Sequence, residues 1–142
     1  MRNPDEAAIR ALLERVRRIA VVGLSPKPHR DSNRIARYLI DRGYDVVPVY
    51  PREDEILGLK VYRRVQDIPG WVDLADVFRR REMLAESTDD CLAAGVGALW
   101  FQLDCVDEAS AARAREKCVL VVMDRCIMVD HAHLLGREWR PS

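Results

Sequence analysis

Ile19-Ala20-Val21-Val22-Gly23-Leu24-Ser25-Pro26-Lys27-Pro28-His29-Arg30-Asp31-Ser32 is the stretch that decides the fold. Its first four residues are apolar and mostly β-branched, the composition of a short buried strand. Gly23 and two prolines then break any regular pattern. After Ser32 the apolar residues fall at Ile35, Ala36, Leu39 and Ile40, which is helical spacing. Strand, small-residue loop and helix start, in that order, are how open α/β sheets hold phosphate groups. The first N–H groups of the helix have no partner within it, and the helix dipole favours negative charge there. Lys27 and Arg30 add full charges, and Ser25 and Ser32 add hydroxyls.

The same alternation continues on either side. Residues 5–18 carry one apolar stripe, Ala8, Ile9, Leu12, Leu13 and Val16, with Pro4 and Asp5 as the start signal. This helix is expected to pack across the sheet edge before a first strand at 18–23. A second helix at about 32–42 stops at Gly43. A strand over 44–51 closes at Pro51. Residues 52–70 are rich in turns, with a turn at Ile56-Leu57-Gly58, a short strand at 59–62 and a stop at Ile68-Pro69-Gly70. Then come a strand at 74–78, a helix at 82–94 ending near Gly95, and a strand at 98–103. A helix at 107–117 with Asp107 as N-cap, a strand at 119–123 and a short helix at 127–136 complete the chain. Strands alternating with helices predict a parallel sheet covered on both faces, joined by right-handed crossovers. Ligands on such sheets sit beyond the C-terminal strand ends, so 23–32, 50–52, 78–81, 102–105 and 124–126 are the segments of interest.

With 142 residues the chain is expected to be one domain, able to bury roughly two-thirds of its unfolded surface. Lys+Arg 23 balances Asp+Glu 23, which argues against a dedicated nucleic-acid or membrane-surface binder. Of the basic residues 20 are Arg, a side chain suited to bidentate carboxylate or phosphate contacts and equally to surface ion pairs. Cys91, Cys105, Cys118 and Cys126 form no Cys-x-x-Cys pair, and Met1-Arg2-Asn3-Pro4-Asp5-Glu6 carries no apolar leader. Reduced thiols in a cytoplasmic protein are the expectation. No apolar run approaches the ~18–20 residues of a membrane span.

The loop is not a dinucleotide fingerprint. Gly-x-Gly-x-x-Gly needs three glycines, and here Gly23 stands alone. A NAD site also wants an acid at the end of the second strand, where this chain has Tyr50-Pro51, with acids only at Glu53 and Asp54. Tyr50-Pro51 offers a flat surface for an adenine, or is merely a strand end. Arg79-Arg80-Arg81 would serve a phosphate-rich ligand, or be a solvated cluster. Cations at a helix start oppose the dipole, so at least one of the three should have an anionic partner. Gln102 would orient a ligand amide or satisfy loop backbone. Cys126, His131 and His133 match no zinc spacing, so no metal is expected. Nor does a Ser-His-Asp or Cys-His set assemble, so no catalytic residue is assigned.

Together these segments resemble the small CoA-binding proteins, and the CoA-binding domain of the succinyl-CoA ligase α subunit. The resemblance spans about 10–135. It rests on Val22-Gly23-Leu24-Ser25-Pro26-Lys27-Pro28 with Asp31-Ser32, on Gly43-Tyr44, on Pro48-Val49-Tyr50-Pro51 and on Ile56-Leu57-Gly58. Asp76-Val77-Phe78-Arg79, Trp100-Phe101-Gln102-Leu103 and Met123-Asp124-Arg125-Cys126 complete it. It implies a Rossmann-like three-layer α/β/α fold with a mainly parallel sheet of five or six strands. It implies that Gly23, Ser25, Arg30 and Ser32, with Leu24, Lys27 and Asn33 in the same loop, take the phosphates of coenzyme A. Tyr50-Pro51 and Phe78-Arg79 would frame the nucleotide, and Gln102 would lie nearer the pantetheine arm. Three positions depart from the family: Tyr50 for the usual Asn, Asp104 for Gly, which predicts a different turn, and Asp130 for Glu. The ligases that share this domain add a phosphohistidine domain and a nucleotide-grasping partner, and 142 residues hold neither. The expectation is a single CoA-binding domain over 1–142 that holds CoA or an acyl-CoA without catalysis, as a carrier, sensor or regulatory module with room for a protein partner. The alternatives are a CoA-thiol or acyl-handling enzyme using Cys126 or Cys105, or a binder of another adenine nucleotide such as NAD.

Overall fold

The computed structural model describes residues 3–141. Met1, Arg2 and Ser142, the ends of the expected domain, lie outside the described residues. Helix α1 (Glu6–Arg15) starts where the sequence signals it, with the Ala8 N–H donating to Asp5 Oδ1 at 2.9 Å. Strand β1 (Arg18–Val22) leads through the quoted loop to α2 (Asp31–Asp41), then β2 (Asp45–Val49). A two-residue hairpin, β3 (Glu55–Ile56) and β4 (Leu59–Lys60), follows. A 3₁₀ turn at Val65–Asp67 precedes β5 (Leu74–Val77), and a second at Arg81–Met83 precedes α3 (Leu84–Ala94). The chain continues with β6 (Ala98–Phe101), α4 (Glu108–Glu116), β7 (Leu120–Met123) and α5 (Ile127–Leu134).

The main sheet has five strands in the order β2-β1-β5-β6-β7, all neighbouring pairs parallel. Alternation along each strand sends side chains to two faces. On one face Ile19, Val21, Val46, Leu74, Ala98, Trp100 and Val122 pack with Ile9, Leu12, Leu13 and Val16 of the α1 segment, Ile35, Ala36 and Leu39 of α2, and Ile127 of α5. On the other, Ala20, Val22, Val47, Val49, Ala75, Val77, Leu99, Phe101 and Val121 pack with Leu84 and Cys91 of α3, Ala111 and Ala114 of α4, and Val65 of the 3₁₀ turn. This is a Rossmann-like α/β fold in three layers.

Helix α1 buries its apolar stripe in the first of these cores: Ile9, Leu12 and Leu13, with Val16 at its C-cap, are at most 3% exposed. Two expectations change. The helix expected from 82 begins at Leu84, because residues 81–83 wind as a 3₁₀ turn. Asp107 stands at the N-cap of α4, but its carboxylate accepts from Ser110 Oγ at 2.6 Å rather than from a backbone N–H.

The chain runs from β1 outward to β2, then crosses back to β5 on the other side of β1. The crevice between the ends of β1 and β5 is therefore the topological switch point of the sheet. Gly23 sits there. Its N–H donates to Val49 O at 2.8 Å, and the Phe78 N–H donates to Val22 O at 2.8 Å. Gly23 has φ +89°, and a Cβ on it would stand 2.1 Å from the Phe78 carbonyl oxygen.

Candidate functional site

At the switch point the loop after β1, the end of β2 and the end of β5 enclose an open cleft of about 500 Å³. Its wall is made of Gly23, Ser25, Lys27, Arg30, Asp31, Ser32, Tyr50, Arg52 and Phe78.

The loop is held by its own polar groups. The Ser25 N–H donates to Ser32 Oγ at 2.9 Å, and the Lys27 N–H to Ser25 Oγ at 3.1 Å. Asn33, 1% exposed, donates from Nδ2 to Ser25 O at 2.9 Å and accepts at Oδ1 from Arg37 Nε at 2.9 Å. Arg37 Nη2 also reaches Pro28 O at 2.8 Å. Leu24 is fully buried beneath the loop. Both serine hydroxyls thus act as acceptors inside the loop, which leaves the O–H proton of each to donate.

Helix α2 starts without help. Its N-cap is Arg30, and no side chain there bonds the exposed N–H groups. A cation at a helix N-terminus is unfavourable on its own. Lys27 and Arg52 add two more cations to the same wall. The one carboxylate in the wall, Asp31, is paired with Arg34 at 2.9 Å. The uncapped helix end and these three cations together favour negative charge at this wall. Beside it the Tyr50 ring lies under the Arg52 guanidinium, 5.8 Å from ring centroid to carbon.

Of the twelve residues read from the sequence, seven come together in this wall: Gly23, Ser25, Lys27, Arg30, Ser32, Tyr50 and Phe78. Leu24 and Asn33 lie behind it as support. Pro51 is exposed and outside the wall. Arg79 also stays out of it. Successive residues of an extended chain point to opposite faces, so Phe78 turns toward the α2 side and Arg79 toward α3. There the Asp90 carboxyl is held below the usual carboxylate range. Burial opposes this, but hydrogen bonds from Arg64 and Gln66 outweigh it, and the charges of Arg64 and Arg79 add to them. Arg80 pairs with Glu82 at 3.8 Å, so the basic cluster does find anionic partners. Gln102, 4% exposed, lies outside the wall; its Oε1 accepts from the Ile127 N–H at 3.1 Å and fastens the start of α5.

Sequence reasoning missed Arg52. It lies in the segment 50–52 after β2, but nothing in the local pattern separates it from a solvated loop arginine. At the turn expected to depart from the family, Asp104 takes the left-handed conformation, φ 68°, and its N–H donates to Asp124 Oδ1 at 2.8 Å. Cys105 is buried with its thiol donating to Arg79 O at 3.3 Å, and burial pushes that thiol up, the opposite of a reactive thiolate. Cys126 is 9% exposed at the N-cap of α5. His131 is fully buried among rings, and among the described residues no three potential metal ligands cluster.

Comparison with known proteins agrees with this architecture. The chain is 40% identical to the uncharacterised protein YneT of Bacillus subtilis over 132 residues, 93% of this chain and 98% of that protein. A solved hypothetical protein from Pyrococcus horikoshii superposes with a TM-score of 0.91 at 37% identity, covering 96% of this chain and 98% of that one. The α subunit of acetate–CoA ligase (ADP-forming) II from Pyrococcus furiosus is 36% identical over 81 residues, 56% of this chain but 18% of that subunit. Residues 17–132, the whole sheet with α2 to α4 and most of α5, match the CoA binding domain, and the chain belongs to that family.

Proposed function

We propose that the chain binds coenzyme A, free or acylated, in the cleft at the switch point, and holds it without reacting with it. The uncapped start of α2 among Lys27, Arg30 and Arg52 carries this reading. Coenzyme A has a diphosphate and a ribose phosphate, so it needs several cationic donors converging from more than one element. The loop supplies two and the end of β2 a third. The diphosphate lies on the α2 N-terminus and the Ser25 and Ser32 hydroxyls. The adenine rests against Tyr50 and Phe78, and Arg52 takes the ribose phosphate. The absence of an acid at the end of β2 disfavours NAD at the same place. The ligase relative carries its matching segment as a small part of a larger subunit, which supports a module that holds the cofactor while other parts react. Four free cysteines support a cytoplasmic setting. Among the described residues no helix is long and apolar enough to cross a membrane.

A thermal-shift series with CoA, acetyl-CoA, dephospho-CoA, NAD, NADP, FAD and ATP tests the reading. CoA at 100 times its Kd should raise the melting temperature by about 5–10 °C, because ligand that binds only the folded state adds about 2.7 kcal/mol. Dephospho-CoA should give a smaller rise. A large shift with NAD and none with CoA would overturn the assignment.

A further inference from the structure

We propose that Asp76 is a neutral carboxylic acid in the folded protein, so that folding takes up a proton there and stability falls as the pH rises, until the folded carboxyl itself ionises. Asp76 lies on β5, the central strand, in register with Val21 of β1 and Trp100 of β6. It is fully buried, and neither carboxyl oxygen has a hydrogen-bond partner. Its strand neighbours offer only apolar or engaged groups, since the Trp100 indole N–H already donates to Arg125 O at 2.8 Å. The other buried carboxylate on this side, Asp130, is different, because Arg125 holds both its oxygens at 2.6 and 2.8 Å. A charged carboxylate needs such donors when it leaves water, and without them protonation is the cheaper state.

The ionisable groups around it do not change this. The inward positions of α1, β1, β2, β6 and β7 are apolar. Helix α2 adds Tyr38, the turn before β2 adds Tyr44, and α5 adds His131 and the Arg125–Asp130 pair, with Cys126 just before it. Cys105, after β6, is near enough for its thiol to feel the Asp76 charge. None of these holds Asp76 in place. Its proton affinity is raised well above the carboxylate range by burial alone.

The sign follows from linkage. An unfolded Asp loses its proton near pH ~3.9. Below that value both states are protonated and Asp76 adds no pH dependence to stability. As pH rises the unfolded chain releases its proton and the folded chain does not, so stability falls until the folded carboxyl ionises too. Asp76 stands two residues before Phe78, on the same side of β5, so this buried acid lies beneath the cleft.

Urea unfolding of the unmodified protein and Asp76→Asn from about pH 5 to about pH 9 tests this, with infrared spectra of the folded states. The unfolding constant of the unmodified protein, relative to the variant, should rise by about tenfold per pH unit and then level off. The folded unmodified protein should show the C=O band of a protonated carboxylic acid at about pH 6, missing from Asp76→Asn, and lose it where the ratio levels off. A ratio independent of pH, or a spectrum without that band, overturns the proposal. Should Asp76→Asn fail to fold, Asp76→Leu takes its place and the band in the unmodified protein decides alone.

Discussion

At position 23 the backbone bends with φ +89°, and a single added carbon would meet the Phe78 carbonyl oxygen at 2.1 Å. Gly23→Ala must therefore prise β5 from β1 or abandon the loop. It is expected to cost about 2–4 kcal/mol in urea unfolding, the sum of a left-handed alanine and an overpacked seam. A loss under about 1 kcal/mol would show that the seam yields easily. Arg30→Ala and Arg52→Ala leave the fold alone and should each weaken CoA binding by about 1–3 kcal/mol in calorimetric titration, if both make charge-assisted bonds. Arg79→Ala should cost less than either, since Arg79 turns toward Asp90. Equal losses for all three would place Arg79 at the ligand. The sequence could have separated Phe78 from Arg79, because strand alternation sends neighbours to opposite faces. Arg52 could not have been separated from its neighbours, because its place over Tyr50 depends on how the chain turns after β2.

Among the elements, those built on long apolar patterns were legible: five helices and five sheet strands appear within a few residues of their expected places. Gly95 shows why the stops were readable, for it takes φ 73° at the end of α3 and turns the chain back. The β3–β4 hairpin was only half legible. Two-residue strands have no periodicity to read, and its turn hides a non-glycine residue, Leu57, at φ 56° beside Gly58 at φ 74°. The end of α5 held another surprise. His131 is enclosed by Tyr38, Tyr44 and Trp139, with ring centroids 5.4, 5.8 and 5.7 Å away, and its Nδ1 is 2.9 Å from the Tyr38 hydroxyl. Burial, with Arg42 and Arg140 nearby, lowers its pKa from 6.5 to about 4. A depressed histidine stabilises the fold above its unfolded pKa, and that contribution is lost as pH falls through the folded value. The His131 contribution should therefore be lost between about pH 6.5 and about pH 4, so the unfolding constant of the unmodified protein, relative to His131→Phe, should rise as the pH falls through this range. An unchanged slope in the variant would mean that the box opens before the ring is protonated. The Arg137–Pro141 tail, which brings Trp139 to this box and lays Pro141 against Gly43, is the first segment expected to detach.

For the molecule as a whole, the class of fold followed from alternation, but the order β2-β1-β5-β6-β7 did not. Asp76 apart, the buried positions of each strand are apolar on both faces, so nothing local says which neighbour it takes. The order nevertheless creates the crevice between β1 and β5, and so the place where one loop can meet two strand ends. How the sheet stops is also a property of the whole. On the β2 side the segment after β4 lies alongside, with the Tyr62 N–H on Pro48 O and the Tyr50 N–H on Tyr62 O, both at 3.0 Å. On the β7 side the Asn3 amide gives and takes one hydrogen bond each with the Met123 backbone, at 2.9 and 2.8 Å. An amide side chain has the same donor and acceptor as a peptide group, so Asn3 fills the place a sixth strand would claim. Asn3→Ala should bare that edge, and concentration-dependent light scattering should then report self-association that the unmodified protein does not show. Scattering equal to that of the unmodified protein would mean that β7 is guarded by something else. One asparagine, far from the cleft in function and 120 residues from its partner in sequence, thereby bears on whether neighbouring copies of the protein remain strangers to one another.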